Sequence, residues 1–176
     1  MTKRPPRILG AILAGGQARR FGSDKAQALY AGTRLIDGVA AALLAQCEAL
    51  VVCGREEPGF ACIPDWPEAG LGPLSGLAAA LRHAGQCGFA NVLSAGVDVP
   101  DYPHNLAATL AGEGAAIVES QPVIGLWPVE AGGALEAFLA ESGRSLYRFA
   151  DHIGARRIDL PHPLMNVNRP EDLPPA

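Results

Sequence analysis

The residues near the start of the chain with the clearest chemical potential are Gly15, Gly16, Arg19, Arg20 and Lys25. Gly15-Gly16 follows the apolar run Ile8 to Ala14, so a buried strand is expected to open into a glycine-rich loop. With no side chains in the way, successive backbone N–H groups of such a loop converge on an anion. Arg19 or Arg20 and Lys25 bring positive charge to the same turn, and the combination is that of a triphosphate cradle. It is not a P-loop, because Lys25 stands three residues after Gly22 and is followed by Ala26, which leaves no hydroxyl for Mg²⁺. Nor is it a dinucleotide fingerprint, which requires Gly-x-Gly-x-x-Gly.

Two carboxylates are placed to complement such a loop. Asp98, in Gly96-Val97-Asp98-Val99-Pro100, follows the apolar run Asn91 to Val97 and so falls at the carboxyl end of an expected strand, where ligands bind in open parallel sheets. A hard carboxylate there suits Mg²⁺, which is usually held by one or two carboxylates together with substrate phosphates; a turn aspartate before a proline is the competing reading. Asp65 lies between Pro64 and Pro67, either as a loop carboxylate or as an acceptor for a base or ribose group. Asn166 and Asn168 precede Pro170-Glu171-Asp172-Leu173; local sequence favours their capping that turn, and their amides could equally complete a substrate site. His83, His104, His152 and His162 have neither metal-ligand spacing nor a nucleophile partner. Ser75 and Ser94 lack a Gly-x-Ser-x-Gly setting, so hydrolase chemistry is not supported.

With 176 residues, 49% of them hydrophobic, the chain is long enough for one sizeable core, and one domain over residues 1–176 is expected. A net charge of −4 gives no general basic field, so nucleic acid is not an expected partner and a polyanionic substrate must be met by a local cluster of Lys and Arg. Cys47, Cys53, Cys62 and Cys87 form no C-x-x-C pair and read as reduced, buried thiols. The basic start before Ile8 lacks a small-residue cleavage site and no apolar run reaches membrane length, so a cytoplasmic protein without a membrane partner is expected.

The elements that must position these residues alternate. Ile8–Ala14 is a strand, Thr33 a helix N-cap with the helix running to Gln46, and Ala49–Cys53 a second parallel strand, which together make a βαβ unit. A short strand Phe60–Ile63, a helix over Ala78–Ala84, the strand Asn91–Val97 and a helix from beyond Pro103 to Gly112 follow. Strands at Ala115–Glu119 and Val123–Pro128, helices at Gly133–Glu141 and Ser145–Ile153, and a strand at Arg156–Leu160 complete the pattern. The alternation predicts a three-layer α/β fold with a mostly parallel sheet.

Four words of the sequence, in order, resemble the molybdenum cofactor guanylyltransferase family. They are Leu-Ala-Gly-Gly-x-x-x-Arg-Phe-Gly-x-x-Lys from Leu13 to Lys25, with Arg20 as its arginine; Asp65 before Gly72-Pro73-Leu74-Ser75-Gly76-Leu77; Asp98 before Pro100; and Asn166-Val167-Asn168-Arg169-Pro170-Glu171-Asp172-Leu173. The resemblance spans nearly the whole chain. It implies a Rossmann-like nucleotide-diphosphosugar transferase fold and the transfer of GMP from Mg²⁺·GTP to the terminal phosphate of molybdopterin cofactor, with release of pyrophosphate. By position, Leu13, Ala14 and Gly15 would approach the guanine, Lys25 the phosphates, Asp65 the nucleoside, and Asp98 both Mg²⁺ and GTP; Gly16 is expected to join the nucleotide-binding backbone, and Arg20 to contact the triphosphate beside Lys25. Asn166 and Asn168 are candidates for the acceptor, and transient protein partners in cofactor delivery are compatible with the resemblance.

The family commonly presents an asparagine at the end of the second strand, where this chain has Cys53. Arg169 stands where threonine is usual, and Gln121-Pro122 where some members have His-Pro. Cytidylyl relatives tend to carry a second alanine at the position of Gly15, so Gly15 and the Gly-Pro-Leu-Ser-Gly word lean toward guanine. The rival readings are a nucleotidyltransferase acting on CTP or a sugar phosphate, and a non-catalytic nucleotide-binding regulator.

Overall fold

A computed structural model describes residues 6–15 and 24–173. Seven strands form one sheet in the order β5-β4-β1-β6-β8-β7-β9, from Cys62–Ile63 (β5), Ala49–Cys53 (β4), Ile8–Leu13 (β1), Asn91–Ala95 (β6), Gln121–Pro128 (β8), Ala116–Val118 (β7) and Arg156–Ile158 (β9). Pairings β1/β4, β1/β6, β4/β5 and β7/β9 are parallel, and β8 alone runs against both its neighbours. The reversal follows from a two-residue turn, Glu119-Ser120, which joins β7 to β8 and allows only an antiparallel return. The expected strands are present, several one or two residues shorter at an end, and β8 begins two residues earlier than expected.

Alternating side chains along the central strands feed two cores. Leu9, Ala11 and Leu13 pack with Val51, Cys53 and Val92 toward helices Pro73–Gln86 (α2), Ala131–Ala140 (α4) and Leu146–His152 (α5). Ile12, Val52, Leu93 and Ala95 pack on the opposite face with helices Leu35–Leu44 (α1) and Leu106–Leu110 (α3). Helices thus cover both faces, the arrangement a parallel sheet requires to bury its near-continuous apolar strands. Beneath α5, Trp127 stacks on Phe149 with centroids 5.8 Å apart. Its indole N–H donates to Ser94 Oγ at 2.9 Å, and that hydroxyl donates to the Val123 carbonyl at 2.7 Å, so Ser94 is a buried structural bridge.

Two local expectations are corrected. Thr33 does not cap a helix: it pairs with Tyr30 across a tight hairpin of Leu29–Tyr30 (β2) and Thr33–Arg34 (β3), and α1 begins at Leu35. Ala31 and Gly32 both have positive φ, +48° and +81°, the turn geometry that matches strand twist in two-residue hairpins. Likewise α2 starts at Pro73 rather than Ala78, since proline is pre-set for the first helical turn and Gly72 supplies the left-handed entry at φ +73°. Of the four cysteines only Cys53 is fully buried; Cys47 and Cys62 are half-buried and Cys87 is exposed.

Candidate active site

The central strands end level with one another. Leu13 pairs with Cys53, and Ile12 with Ala95, so the loops after β1, β4 and β6 leave the sheet side by side. Ala14 N–H donates to the Cys53 carbonyl at 3.0 Å, which extends the β1/β4 ladder one step into the glycine-rich loop. Strong parallel pairing of apolar strands therefore brings together residues distant in sequence.

On one side of Leu13 lies a cavity of about 290 Å³, lined by Ala14, Lys25, Arg55, Gly96, Asp98 and neighbouring residues. Lys25 opens a single 3-10 turn, Lys25–Gln27, whose N-cap Asp24 accepts a hydrogen bond from Ala26 N–H. Partial burial holds the Lys25 ammonium below its ordinary pKa, and Asp98 and Asp172 oppose that shift. Both carboxylates therefore act on the same ammonium through space.

Asp98 is fixed by its backbone. Tyr102, buried at 4% exposure, accepts from Gly96 N–H at 3.1 Å and donates to the Gly96 carbonyl at 2.9 Å, so one phenol satisfies both polar groups of a buried peptide turn. Burial, with Asp98 nearby, keeps the Tyr102 hydroxyl protonated well above its ordinary range. The Asp98 carboxylate lies over Gly96, where a Cβ would stand 2.7 Å from Oδ1. From the other side Val167 N–H donates to the Asp98 carbonyl at 2.7 Å. Val167 is itself wholly buried against Leu35, in a small cluster with Ala28, Tyr30 and Leu173.

On the other side of Leu13 a smaller pocket, about 90 Å³, is lined by Gly15, Asp65, Gly72, Pro73 and Gly76. Its walls are close because they are glycine. A Cβ on Gly15 would stand 2.8 Å from Asp65 Oδ2, and one on Gly54 would stand 2.6 Å from both Asp65 Oδ1 and Gly15 Cα. Burial raises the Asp65 pKa, and the neighbouring Ser75 hydroxyl offsets part of the rise. Ser75 is fully buried and donates to the Gly72 carbonyl at 2.8 Å, closing the first turn of α2.

Of the residues expected at the site, Leu13, Ala14, Gly15, Lys25, Asp65 and Asp98 converge on these two adjoining spaces, with Leu13 the wall between them. Gly16 and Arg20 lie outside the described residues. Asn166 and Asn168 are exposed on either side of buried Val167, next to the Asp98 turn. Neither caps the closing 3-10 turn Pro170–Asp172: the N-cap is Arg169, and the Asp172 carboxylate accepts the backbone N–H groups of Asn168 and Arg169 at 2.7 and 2.9 Å. A carboxylate at the third helical position reaches back to these donors, which removes the need for an amide cap. The Cys53 side chain is wholly buried in the core, and burial, with help from Asp65 and Cys62, keeps its thiol protonated.

Three residues escaped the sequence reading. Arg55 lines the Lys25 cavity, Glu57 is buried and paired with Arg55, and Tyr102 pins Gly96. Gly54-Arg55-Glu56-Glu57-Pro58 reads as a solvated charged loop, and nothing local separates Glu57 from Glu56.

The donor set constrains any metal. The Asp98 carboxylate accepts no hydrogen bond among the described residues, while Asp24, the other carboxylate lining the cavity, is committed to Arg55. Among the described residues no three His, Cys, Asp or Glu side chains gather into a metal site. A single open carboxylate fits a hard cation whose remaining ligands are substrate phosphates and water.

Comparison with known proteins agrees with this architecture. The family described as MobA-like NTP transferase domain matches residues 10–158. A molybdenum cofactor guanylyltransferase of Cereibacter sphaeroides is 39% identical over 95% of this chain and 94% of its own length. Another, from Rhodobacter capsulatus, is 36% identical over 95% and 93%. Among solved structures, molybdopterin-guanine dinucleotide biosynthesis protein A from Archaeoglobus fulgidus superposes with a TM-score of 0.74 at 21% identity, covering 93% of this chain and 94% of that one. The 2-C-methyl-D-erythritol 4-phosphate cytidylyltransferase of Thermus thermophilus gives 0.70 at 18% identity, covering 95% and 94%, so the fold is that of the nucleotidyltransferases. By this family match and these relatives, the chain is an enzyme and belongs to the MobA-like NTP transferase family, alongside the molybdenum cofactor guanylyltransferases.

Proposed function

We propose that this enzyme transfers GMP from Mg²⁺·GTP to the terminal phosphate of molybdopterin cofactor, releasing pyrophosphate, and that one nucleotidyltransferase domain over the chain does so. The observation that carries this reading is the division of the site at Leu13 into a glycine-walled pocket bearing Asp65 and a cavity bearing Lys25 and Asp98. Guanosine occupies the first, with its donors toward the Asp65 carboxylate and its edge against the backbone of Leu13, Ala14 and Gly15. The triphosphate crosses into the second, toward Lys25. Gly16 and Arg20 are assigned to the same cradle by the signature alone.

The acceptor phosphate monoester is already anionic at neutral pH, so its oxygen attacks the α-phosphorus without a general base. A new P–O bond forms as the bond from the α-phosphorus to the β-bridging oxygen breaks, and pyrophosphate departs with the electron pair. Positioning and neutralisation of charge are what the protein supplies. Mg²⁺, held by Asp98, would neutralise phosphate oxygens and orient them. Lys25 places a fixed positive charge against the same phosphates. Exposed Asn166 and Asn168, beside the Asp98 turn, offer amide donors and acceptors to the pterin substrate.

No helix among the described residues is long and apolar enough to cross a membrane. The proposed reaction takes small-molecule substrates, and its assignment to the cytoplasm is part of the same proposal. The test is pyrophosphate release with GTP, CTP and ATP in turn, with molybdopterin and Mg²⁺ present. Turnover with GTP that is lost in Asp98→Asn is the expected result; equal incorporation of CMP would assign the enzyme to cytidylyl transfer.

A further inference from the structure

Lys25 can act on phosphates only if its turn is already in place, and the described residues show what holds it. Glu57, in the loop after β4, is 2% exposed. A carboxylate so removed from water must be met by donors. Gln27 Nε2 reaches both of its oxygens at 3.0 and 2.9 Å, Arg34 Nη1 reaches Oε1 at 2.9 Å, and Arg55 Nη2 reaches Oε2 at 3.1 Å.

Each arginine also holds a second carboxylate, Arg34 through its other two nitrogens and Arg55 through an Nη2 shared between Asp24 and Glu57. Arg34 forms a two-bond fork with Asp37, both at 2.7 Å, and Arg55 forms one with Asp24 at 2.7 and 2.6 Å. Such paired, planar contacts fix direction as well as distance. The turn Lys25–Gln27 is therefore tied at both ends to a single buried carboxylate, through Arg55 to Asp24 just before it and directly to Gln27, its last residue. Ala26 between them is buried at 2%. The Lys25 side chain is left to face the cavity that Arg55 and Asp98 also line.

We propose that Glu57 and Arg55 are positioning residues for Lys25, an ionic relay that sets the lysine in the phosphate cavity before nucleotide arrives. The inference rests on the reading of Lys25 as a phosphate contact and adds the means by which it is preorganised. A rigid turn avoids the ordering cost that a mobile lysine incurs on binding each triphosphate. It also holds the charge in place as pyrophosphate departs.

The experiment is a double-mutant cycle on GTP turnover and equilibrium GTP binding, with Arg55→Gln and Glu57→Gln each made alone and with Lys25→Ala. Arg55→Gln, at a quarter-exposed side chain, carries the test if Glu57→Gln does not fold. Each single relay variant is expected to lower kcat/KM for GTP roughly tenfold, as when one charge-assisted contact is weakened. In the Lys25→Ala background the same change is expected to cost little more, which a general loss of stability would not reproduce. Arg55→Lys should recover only part of the loss, because it keeps the charge without the fork. If the losses multiply, or if Arg55→Gln leaves GTP turnover intact while Lys25→Ala impairs it, the relay does not position the lysine. If Lys25→Ala is itself without effect, the phosphate reading of Lys25 fails and the inference falls with it.

Discussion

Gly15 and Asp65, fifty residues apart in sequence, approach so closely that a single added methyl at Gly15 would lie 2.8 Å from Asp65 Oδ2. The Gly54 backbone is 3.2 Å away on the same side, so the methyl could be accommodated only by moving the carboxylate. Gly15→Ala is therefore expected to displace Asp65 from the nucleoside and to lower kcat/KM for GTP by about tenfold or more, as when a hydrogen-bonding site loses its partner. The GTP-to-CTP preference should shrink as well, because the carboxylate is assigned to guanine's donors. Competition between labelled GTP and unlabelled CTP reads both effects, and an unchanged preference would separate Gly15 from base selection.

Asp65 should also cost stability when the site is empty. Burial raises its pKa in the fold above the value of about 3.9 for an unfolded chain, so the folded state binds the proton more tightly. The corresponding stability is complete below the unfolded pKa and is lost as pH rises through the folded one. At pH 7 the ionised carboxylate thus works against the fold, and Asp65→Asn should raise the ligand-free Tm while weakening GTP binding. Scanning calorimetry from pH 7 toward pH 4 should show the Tm difference closing. A constant difference would mean that the asparagine acts by packing instead.

Tyr102 is expected to matter to the metal site without touching a substrate. Tyr102→Phe leaves Gly96 N–H and C=O without their shared partner, and a buried polar group left unpaired costs about 1–3 kcal/mol. For a chain of this size each kcal/mol lowers Tm by about 2–4 °C. Because the Asp98 carboxylate rests over Gly96, the Mg²⁺ titration of GTP turnover should move to higher concentration, while KM for GTP at saturating Mg²⁺ changes less. A fall in Tm with an unmoved Mg²⁺ titration would confine Tyr102 to stability.

The central strands were legible because Ile8–Leu13, Ala49–Cys53 and Asn91–Ala95 are apolar runs ended by glycine or by a turn, and their parallel pairing brings Gly15, Asp65 and Asp98 to one edge. The β2/β3 hairpin was not, because Thr33 is as good an N-cap as it is a strand residue. What decides between them is the pair of positive φ angles at Ala31 and Gly32, one of them on an alanine. Cys53 stands where the family commonly presents an asparagine; its thiol packs in the core, and its carbonyl accepts the Ala14 N–H. The Arg55–Glu57 relay joins residues 24, 27, 34, 37, 55 and 57, drawn from the Lys25 turn, the hairpin, helix α1 and the loop after β4. No local pattern marks Glu57 as the member that folding will bury.

The charge on Lys25 should set the alkaline limit of catalysis. Partial burial lowers its pKa from an ordinary value of about 10.4, and the through-space pull of Asp98 and Asp172 keeps the shift from being larger. A lysine that loses its proton sooner loses its hold on phosphate sooner, so kcat/KM for GTP should fall on the alkaline side at a pH below that ordinary value. This profile reports the free enzyme, in which no triphosphate yet supports the ammonium. Asp172→Asn removes one supporting negative charge while retaining an oxygen to accept the Asn168 and Arg169 N–H groups. The alkaline limb should then move further toward neutrality, with turnover near pH 7 little affected. Guanine's own ionisation at high pH is common to both proteins and cancels in the difference between their profiles. Coincident limbs would mean that Asp172 does not act on Lys25, and a limb that persists in Lys25→Ala would assign the titration to another group.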